Sequence, residues 1–289
     1  MDCMLQFKKD SGFGLGLLRH GLVYDVSARW PSLKKFLDYA VENNQEITQI
    51  LKGLNFNEQN GVDYEKVYPR LLPPIYSDKM YGLGITYKVS ELNRVQRSQD
   101  AAHENAVKSG RLVSFYKGDY HNCVGPTGIL NIRGDSELTT PEPELAAVIS
   151  SQGKILGYTI FNDITAYDIE MASSLFTPEA KEYIGCCSMG PVFIPKEYLG
   201  DMPELKVTLK ILRDEKIILE RGSRTDLIRK EPQKLINELC KYRHIPNGTV
   251  VTLGSSVIVP DECALRDGDE VIVEIENIGI LRNKIRKMQ

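Results

Sequence analysis

Two glutamates, Glu142 and Glu144, stand directly before the apolar run 145–149, and this arrangement constrains the fold more than any other feature of the sequence. Side chains two residues apart on a strand point to the same face of a sheet. Carboxylates that adjoin a buried run cannot stay ionised without a partner, because burial of a lone charge is very costly. The pattern therefore predicts a strand that carries an acidic site into the core.

The stretch that follows predicts a third carboxylate at the same place. Residues 151–153 are Ser, Gln and Gly, a turn between two apolar stretches, which indicates a β-hairpin. Its returning strand carries Asp163. Carboxylate oxygens suit Mg²⁺, Mn²⁺ or Ca²⁺ rather than zinc. We therefore expect Glu142, Glu144 and Asp163 to bind one divalent cation, while spacing alone leaves open that they are solvated strand carboxylates.

Composition limits the class of protein. The chain has 289 residues, of which 42% are hydrophobic and 26% charged, so a disordered or fibrous chain is excluded. The net charge is -3 and both signs are mixed without a long basic stripe, so we expect no nucleic-acid partner. No stretch approaches the roughly 20 apolar residues of a membrane span, and the N-terminal residues lack an apolar signal core.

The cysteines indicate the compartment. None of the six forms a C-x-x-C pair, and the neighbours Cys186 and Cys187 have poor geometry for a disulfide. We expect reduced thiols, and hence a cytoplasmic protein.

The first quarter of the chain is predicted to be a small α+β domain, residues 1–72. Short strands are expected within 13–26, a helix over 31–43 and a shorter helix over 47–51. Residues 69–74 contain three prolines, which remove backbone donors, so we expect no regular structure there. The domain boundary is placed at this segment.

The remainder, residues 73–289, is predicted to be strand-rich. Many short strands with few helices favour a closed or double-sheet β core over a doubly wound α/β sheet. The polar segment 90–108 is expected to be helical and mobile, as a lid, because it has few apolar anchors. The other predicted elements are a strand over 81–87, hairpins over 145–165 and 205–220, a helix over 232–242 and strands over 249–253, 257–259 and 271–275.

A series of separate motifs runs from residue 84 to residue 283. They are Gly84-x-Thr86-Tyr87, Phe115-Tyr116-Lys117, Pro141-Glu142-Pro143-Glu144-Leu145-Ala146, Gly157-Tyr158-Thr159 with Asn162-Asp163, Lys181, Gly190-Pro191-Val192, Leu265-x-Asp267-Gly268-Asp269 and Leu281-Arg282-Asn283. Their types and order resemble those of the fumarylacetoacetate hydrolase family. The resemblance covers residues 75–285.

This resemblance implies an α+β, mostly β fold, in which a β-roll catalytic domain follows the small N-terminal α+β domain. It implies one divalent cation per site, Mg²⁺ or alternatively Mn²⁺ or Ca²⁺, and a homodimer or homotetramer. The family's metal ligands correspond to Glu142, Glu144 and Asp163, the three residues that the charge argument selects. The Pro-Glu-Pro-Glu-Leu-Ala motif, the stretch 153–160 and Gly185-Cys186-Cys187 are most similar to the branch that dehydrates 2-keto-3-deoxy sugar acids.

We therefore expect a metal-dependent hydro-lyase with a small 2-keto acid as substrate, such as 2-keto-3-deoxy-D-arabinonate, which yields 2-oxoglutarate semialdehyde. Three protein ligands leave about three octahedral positions, two of which a 2-keto acid can fill. The cation would stabilise the enolate that forms when the C3 proton leaves. Lys181 is the expected acid/base group and Lys117 an orienting one; for both, a surface lysine is the alternative.

Four further residues are expected to contact substrate. Thr86 and Tyr87 could bond its hydroxyl groups, although a core position is an equal alternative for Tyr87. Phe115 precedes Lys117 by two residues and would share its face of the strand. Ser255 corresponds to a threonine that contacts substrate in relatives, with Ser256 as the alternative register.

Different functions remain open at this point. Hydrolysis of a C–C bond in a β-diketo acid requires a Glu–His pair to activate water, which His103 and Glu104 could supply. Decarboxylation of oxaloacetate is also compatible with the sequence, and so is a catalytically silent protein that binds metal and keto acid. Relatives also carry a glutamate where this chain has Val113 and an arginine where it has Tyr167, so the substrate shell departs from the pattern.

Overall fold

A computed structural model of the chain describes residues 1–98 and 101–289. The strands are β1 (Cys3–Lys8), β2 (Phe13–Arg19), β3 (Leu22–Asp25), β4 (Val62–Asp63), β5 (Leu71–Leu72), β6 (Met80–Gly84), β7 (Val113–Gly118), β8 (Cys123–Val124), β9 (Ile129–Ile132), β10 (Thr139–Ile149), β11 (Ile155–Ala166), β12 (Cys187–Pro195), β13 (Lys206–Arg213), β14 (Lys216–Arg224), β15 (Thr249–Ser255), β16 (Glu270–Ile275) and β17 (Gly279–Lys287). The helices are α1 (Leu33–Glu42), α2 (Ile47–Lys52), α3 (Tyr64–Val67), α4 (Lys88–Arg97), α5 (Ala102–Ser109), α6 (Tyr167–Ala172), α7 (Thr177–Lys181), α8 (Lys196–Leu199) and α9 (Pro232–Cys240).

These strands form two sheets, as the predicted double-sheet core requires. The larger sheet has the order β4-β3-β2-β1-β12-β11-β10-β15-β6-β7, with β5 beside β1 and β8 beside β12. The smaller sheet has the order β14-β13-β16-β17-β9. Apart from short parallel pairs, the ladders are antiparallel. The strand-rich α+β architecture therefore matches the prediction.

The hairpin of β10 and β11 lies in the middle of the larger sheet. Its turn at 151–153 is the one that the sequence predicts. Leu145, Ala147 and Ile149 enter one hydrophobic cluster, whereas Ala146 and Val148 enter a second cluster on the opposite face. The run 145–149 is continuous because the strand is buried on both faces. This double burial fixes the position of the acidic residues at its start.

The N-terminal residues continue the same sheet. Strand β1 pairs with β2 on one side and meets β12 on the other, with Met4 opposite Phe193. Helix α1 begins after Ser32, whose hydroxyl accepts from the Lys35 backbone N–H at 3.2 Å, and its apolar face packs into the cluster that contains Val148. The division of the chain at residue 72 stays a prediction.

Some local predictions were wrong. Residues 257–259 form no strand. Residues 69–74 are not wholly irregular, because a 3₁₀ turn at Tyr68–Arg70 leads into β5. Strand β17 was not predicted, although its alternation of buried Leu281, Asn283 and Ile285 with exposed charged residues is typical of a strand with one solvated face.

The polar segment 90–108 forms α4 and α5, and residues 99–100 within it lie outside the described residues. Helix α4 buries only Glu91 and Arg94, while Val89, Leu92 and Val95 are exposed. Polar contacts rather than apolar packing therefore hold this helix on the molecule. Among the described residues, no helix is both long and apolar enough to cross a membrane.

Candidate metal centre and its cavity

The structure brings the three predicted ligands together. Glu142 and Glu144 lie on one face of β10, and Asp163 lies directly opposite Glu142 on β11. One carboxylate oxygen from each residue lies within 4.8 Å of the others. Glu144 and Asp163 are buried, and Glu142 is half-buried at the edge of the cavity. Spacing on one strand and register across the hairpin are enough to assemble this triad.

The charges of the triad fit a divalent cation. Burial raises the pKa of Glu144, and the negative charges of Asp163 and Glu142 add to this, so that it reaches about 8. Burial acts in the same direction on Glu142, but Lys181 and Arg94 outweigh it and lower the pKa of Glu142 to about 2. A carboxylate that resists ionisation because of burial and of two neighbouring negative charges is one that a hard cation would stabilise.

Lys181 lies inside the site. Its Nζ is 2.6 Å from Glu142 Oε2, 3.1 Å from Asp163 Oδ2 and 2.6 Å from the Thr165 hydroxyl. Helix α7 presents the side chain at its last residue, and only 1% of the side chain is exposed, which excludes the surface-lysine alternative. Burial lowers its pKa, but Asp163 and Glu142 outweigh this and raise the pKa of Lys181.

Lys117 lies behind the triad rather than in the cavity wall. Its Nζ is 2.6 Å from Asp163 Oδ1 and donates to the Ile164 carbonyl oxygen at 3.1 Å and to the Lys181 carbonyl oxygen. The side chain is fully buried. Burial opposes its charge, but Asp163 outweighs this and raises the pKa of Lys117. The geometry makes Lys117 a neighbour of the ligands and not of the space that a substrate would fill.

Two residues of the site, Arg94 and Glu170, were not predicted. Arg94 on α4 donates from Nη2 to Glu142 Oε1 at 2.8 Å, and its Nη1 contacts Glu170 Oε2 on α6. Both are buried, and both line the cavity beside the triad. No spacing rule distinguishes Arg94 from the neighbouring Arg97, because the contacts of Arg94 with Glu142 and Glu170 depend on how α4 packs against distant parts of the chain.

The predicted substrate contacts divide into two groups. Phe115 and Ser255 line the cavity, and the Phe115 ring centroid is 5.1 Å from Lys181 Nζ. Thr86 donates to the Leu253 carbonyl oxygen at 2.6 Å and borders a neighbouring cavity. Tyr87 lies in the core, where its hydroxyl donates to the Thr225 carbonyl oxygen at 3.2 Å. The structure therefore does not place Tyr87 at the triad.

The two departures from the family pattern also border the site. Val113 lines the cavity. The Tyr167 ring is buried beneath two guanidinium groups, with Arg94 at 5.3 Å and Arg97 at 4.7 Å from its centroid. Its hydroxyl accepts from Asn93 Nδ2 at 2.7 Å. Helix α4 thus supplies positive charge above Tyr167.

His103, Glu104 and His121 are not arranged as the Glu–His pair that hydrolysis of a C–C bond requires. His103 lines the cavity, but Glu104 pairs with Lys108 at 2.5 Å on the exposed face of α5. His121 is exposed and lies 2.9 Å from Asp119. His103 and Glu104 therefore do not form a pair that faces the triad.

The fold and the site define a class of enzyme: the chain belongs to the fumarylacetoacetate hydrolase family, and the family described as fumarylacetoacetate (FAA) hydrolase C-terminal matches residues 81–286. It is 32% identical over 277 residues to the 2-dehydro-3-deoxy-D-arabinonate dehydratase of Saccharolobus solfataricus, covering 87% of this chain and 93% of that protein. It is 29% identical over 270 residues to the probable 2-keto-3-deoxyxylonate dehydratase of Haloferax volcanii, covering 92% and 93%.

A solved structure agrees with these sequence relatives. The 2-keto-3-deoxy-D-arabinonate dehydratase complexed with magnesium and 2,5-dioxopentanoate matches with a TM-score of 0.82 and 28% identity over 100% of both chains. The predicted family and the predicted mostly β fold are thereby confirmed.

Proposed function

We propose that this protein is a divalent-cation-dependent dehydratase of a 2-keto-3-deoxy sugar acid. The proposed substrate is 2-keto-3-deoxy-D-arabinonate, and the proposed product is 2,5-dioxopentanoate, which is 2-oxoglutarate semialdehyde. The observation that carries the proposal is the triad of Glu142, Glu144 and Asp163 with Lys181 at the same cavity. Similarity to two dehydratases over most of the chain supports the choice of reaction.

Glu142, Glu144 and Asp163 would hold the cation, for which Mg²⁺ is the first choice and Mn²⁺ or Ca²⁺ the alternatives. When bound, the cation would act as a Lewis acid towards the keto acid. Asp163 is kept in place by Lys117, and Glu144 by the Gly254 backbone N–H, which donates to its Oε2 at 2.8 Å. Preorganised ligands reduce the cost of binding.

The reaction removes a proton from C3 and the hydroxyl group from C4, which leave together as water. A proton then moves from C5 to C3, which leaves an enol between C4 and C5. The hydroxyl proton of this enol moves to C4, so that C5 becomes an aldehyde and all atoms balance.

We assign the proton transfer at C3 to Lys181, because its Nζ faces the cavity beside Glu142. Against the effect of burial, Asp163 and Glu142 raise the pKa of Lys181, so this role requires that a cation at the triad would take up their charge and lower that pKa. Phe115 and Ser255 border the space that the sugar acid would occupy. Lys117 is a positioning residue in this proposal.

The test is a direct assay of the purified protein with Mg²⁺ and 2-keto-3-deoxy-D-arabinonate, with the aldehyde product measured. We expect product from the unaltered protein and at least about a hundredfold less from Lys181→Ala, because general acid–base groups contribute roughly that much or more. Lys196→Ala, a partly exposed lysine that pairs with Asp201, is the matched control and should keep its activity. Absence of product from the unaltered protein would exclude this substrate.

The competing reactions predict a different activity for variants in helix α5. A C–C hydrolase would depend on His103 and Glu104, whereas we expect Glu104→Ala to keep full dehydratase activity because Glu104 contacts Lys108 on the surface. The same preparations should be assayed with an acylpyruvate and with oxaloacetate. Turnover of these acids with loss at Glu104→Ala would favour hydrolysis, and keto-acid binding without any turnover would favour a silent protein.

We also propose that the protein is a homodimer or homotetramer in the cytoplasm. Exposed apolar side chains such as Leu175, at 83%, and Ile184, at 70%, support an association that covers them. The six cysteines are all unpaired, which is typical of a reducing compartment. Light scattering on the purified protein tests the assembly, and a monomer at micromolar concentration would contradict it.

A further inference from the structure

A fourth buried carboxylate faces the cavity beside the triad. Glu170 lies on α6, seven residues after Asp163, and only 3% of it is exposed. It lines the same cavity as Glu142 and Glu144, yet it does not belong to the group of three whose oxygens converge within 4.8 Å. The reaction described above gives Glu170 no role, although a buried carboxylate is costly to retain.

The position of Glu170 is fixed from two sides. Its Oε2 contacts Arg94 Nη1, while Arg94 Nη2 bonds Glu142 at 2.8 Å. Its helix is anchored by Asp168, which accepts from the Ser136 hydroxyl at 2.7 Å and from the Glu137 backbone N–H at 2.9 Å. Glu170 is therefore a preorganised group and not a side chain that can turn away from a ligand.

The charges around the cavity set the charge that a ligand can carry. Four carboxylates (Glu142, Glu144, Asp163 and Glu170) face three cationic side chains (Lys117, Lys181 and Arg94), which leaves one negative charge when all are ionised. Metal ligation takes carboxylates in the ionised form, so a divalent cation at the triad changes this to one positive charge. A monoanion neutralises the loaded site, whereas a dianion leaves it negative.

We infer that Glu170, held by Arg94, is a specificity-determining residue that selects a monoanionic, hydroxylated 2-keto acid against a 2-keto dicarboxylate. The inference rests on the proposed function and names the charge of its substrate. The hydroxyl groups of a sugar acid donate to a carboxylate, so Glu170 can accept from them. A second carboxylate would leave the loaded site with one net negative charge beside Glu170, because Arg94 is shared between Glu170 and Glu142. At an effective dielectric constant of about 20, this repulsion weakens binding by roughly tenfold or more.

The experiment compares two ligands that differ only at the far end. The five-carbon acids 2-oxopentanoate and 2-oxoglutarate share the 2-keto acid group, but only the latter carries a second carboxylate. Their binding to the protein with saturating Mg²⁺ is measured by calorimetry, without any turnover. We expect the unaltered protein to bind 2-oxopentanoate more tightly by roughly tenfold or more, and Glu170→Gln to reduce this preference by a similar factor.

Two further variants keep the test specific. Glu179→Gln removes an exposed carboxylate on α7 and should leave the preference unchanged. Glu170→Asp keeps the charge and should retain most of the preference. A Mg²⁺-induced rise in melting temperature establishes that each variant still assembles the triad. If Glu170→Gln does not fold, the inference is tested by two results. A preference for 2-oxopentanoate in the unaltered protein that persists in Glu170→Asp supports the inference, and the lack of a preference in the unaltered protein overturns it.

The outcomes separate the inference from the proposed reaction. Equal binding of the two acids by the unaltered protein, or an unchanged preference in Glu170→Gln, overturns the inference even where 2-keto-3-deoxy-D-arabinonate is dehydrated. A preference that Glu170→Gln abolishes supports the inference even where that sugar acid is not turned over. Failure of both acids to bind in the presence of Mg²⁺ overturns the inference, while the assay with 2-keto-3-deoxy-D-arabinonate decides the proposed reaction.

Discussion

Lys117 and Asp163 form an ion pair in which neither side chain is exposed. Such a pair adds little net stability, because desolvation offsets the attraction, but removal of one partner leaves an uncompensated charge in the interior. In the structure the pair positions Asp163, and Lys117 also donates to the carbonyl oxygen of Lys181. A cation at the triad would act on the same carboxylate as Lys117 does.

We predict that Lys117→Met lowers the free energy of unfolding of the metal-free protein by about 3 to 5 kcal/mol, since Asp163 loses its buried partner. Saturating Mg²⁺ should recover part of this loss, because a cation at the triad replaces the missing charge. Urea unfolding with and without Mg²⁺ measures both effects. An equal loss under the two conditions would contradict the placement of the metal site.

Lys9→Met is the matched control for that substitution. Lys9 lies 2.7 Å from Asp25, and both side chains are substantially exposed, at 38% and 44%. Exposed pairs contribute about 0 to 1 kcal/mol, so this variant should unfold almost as the parent does, with no dependence on Mg²⁺.

At the residue scale, the sequence predicts which side chains converge where local geometry decides, and their role as metal ligands stays a prediction. Glu142 and Glu144 share a face because they are two residues apart on a strand, and the hairpin turn sets Asp163 opposite Glu142. Arg94 and Glu170 were missed because they meet only through the packing of two helices from distant parts of the chain. Tyr87 was predicted to contact substrate, but its position at the start of α4 turns its side chain into the core.

Helix α4 is held over the cavity by charge. Its contacts include Glu91 with Arg229, Arg94 with Glu142 and Glu170, and Arg97 with Asp261 at 2.5 Å. Its apolar residues face outwards. Elements with few buried apolar contacts open at low free energy.

We predict faster amide hydrogen exchange in α4, residues 88–97, than in strand β10, which is buried on both faces. Arg94→Met should increase exchange in α4 further, because the helix loses its contacts with Glu142 and Glu170, and should leave α9 unchanged. Mass spectrometry of exchanged peptides measures this. Protection of α4 equal to that of β10 would show that its polar contacts are sufficient to fix it.

At the element scale, apolar runs and turns predicted the hairpins and the main helices, whereas strands defined by tertiary contacts were missed. Strand β17 has charged residues at every second position and is fixed by its neighbours β16 and β9. Residues 257–259 have a strand-like composition, but the backbone N–H of Val257 donates to the Ser255 hydroxyl, which is typical of a turn at the end of β15. Composition alone cannot show which apolar segment finds a pairing partner.

The whole molecule has one property that the sequence did not indicate: its core crosses the boundary predicted at residue 72. The cluster around α1 contains Leu33, Phe36 and Leu37 together with Val148 and Phe161 from the central hairpin. The N-terminal strands also extend the sheet that carries the triad. Shared burial of this kind links the stability of the first 72 residues to that of the site.

Metal binding should stabilise this whole unit. A cation that binds only the folded state raises stability in proportion to the logarithm of its concentration above Kd, about 2.7 kcal/mol at a hundredfold excess. We therefore predict that Mg²⁺ raises the melting temperature and that EDTA reverses the rise. Asp163→Asn should lose the shift, whereas Asp201→Asn, at an exposed pair with Lys196, should keep it. A shift that persists in Asp163→Asn would place the cation elsewhere.

The shared core also predicts the behaviour of the chain without its first 72 residues. The fragment 73–289 would expose Val148, Phe161 and Phe193, and it would leave β12 without β1 as its neighbour. An uncovered apolar face and a free strand edge favour aggregation. We expect this fragment to elute as large aggregates in gel filtration and to bind a hydrophobic dye, while addition of a separate 1–72 fragment reduces both. A soluble, cooperatively folded 73–289 fragment with the Mg²⁺ shift intact would instead show that the catalytic unit folds alone, and that the boundary at residue 72 separates two independent domains.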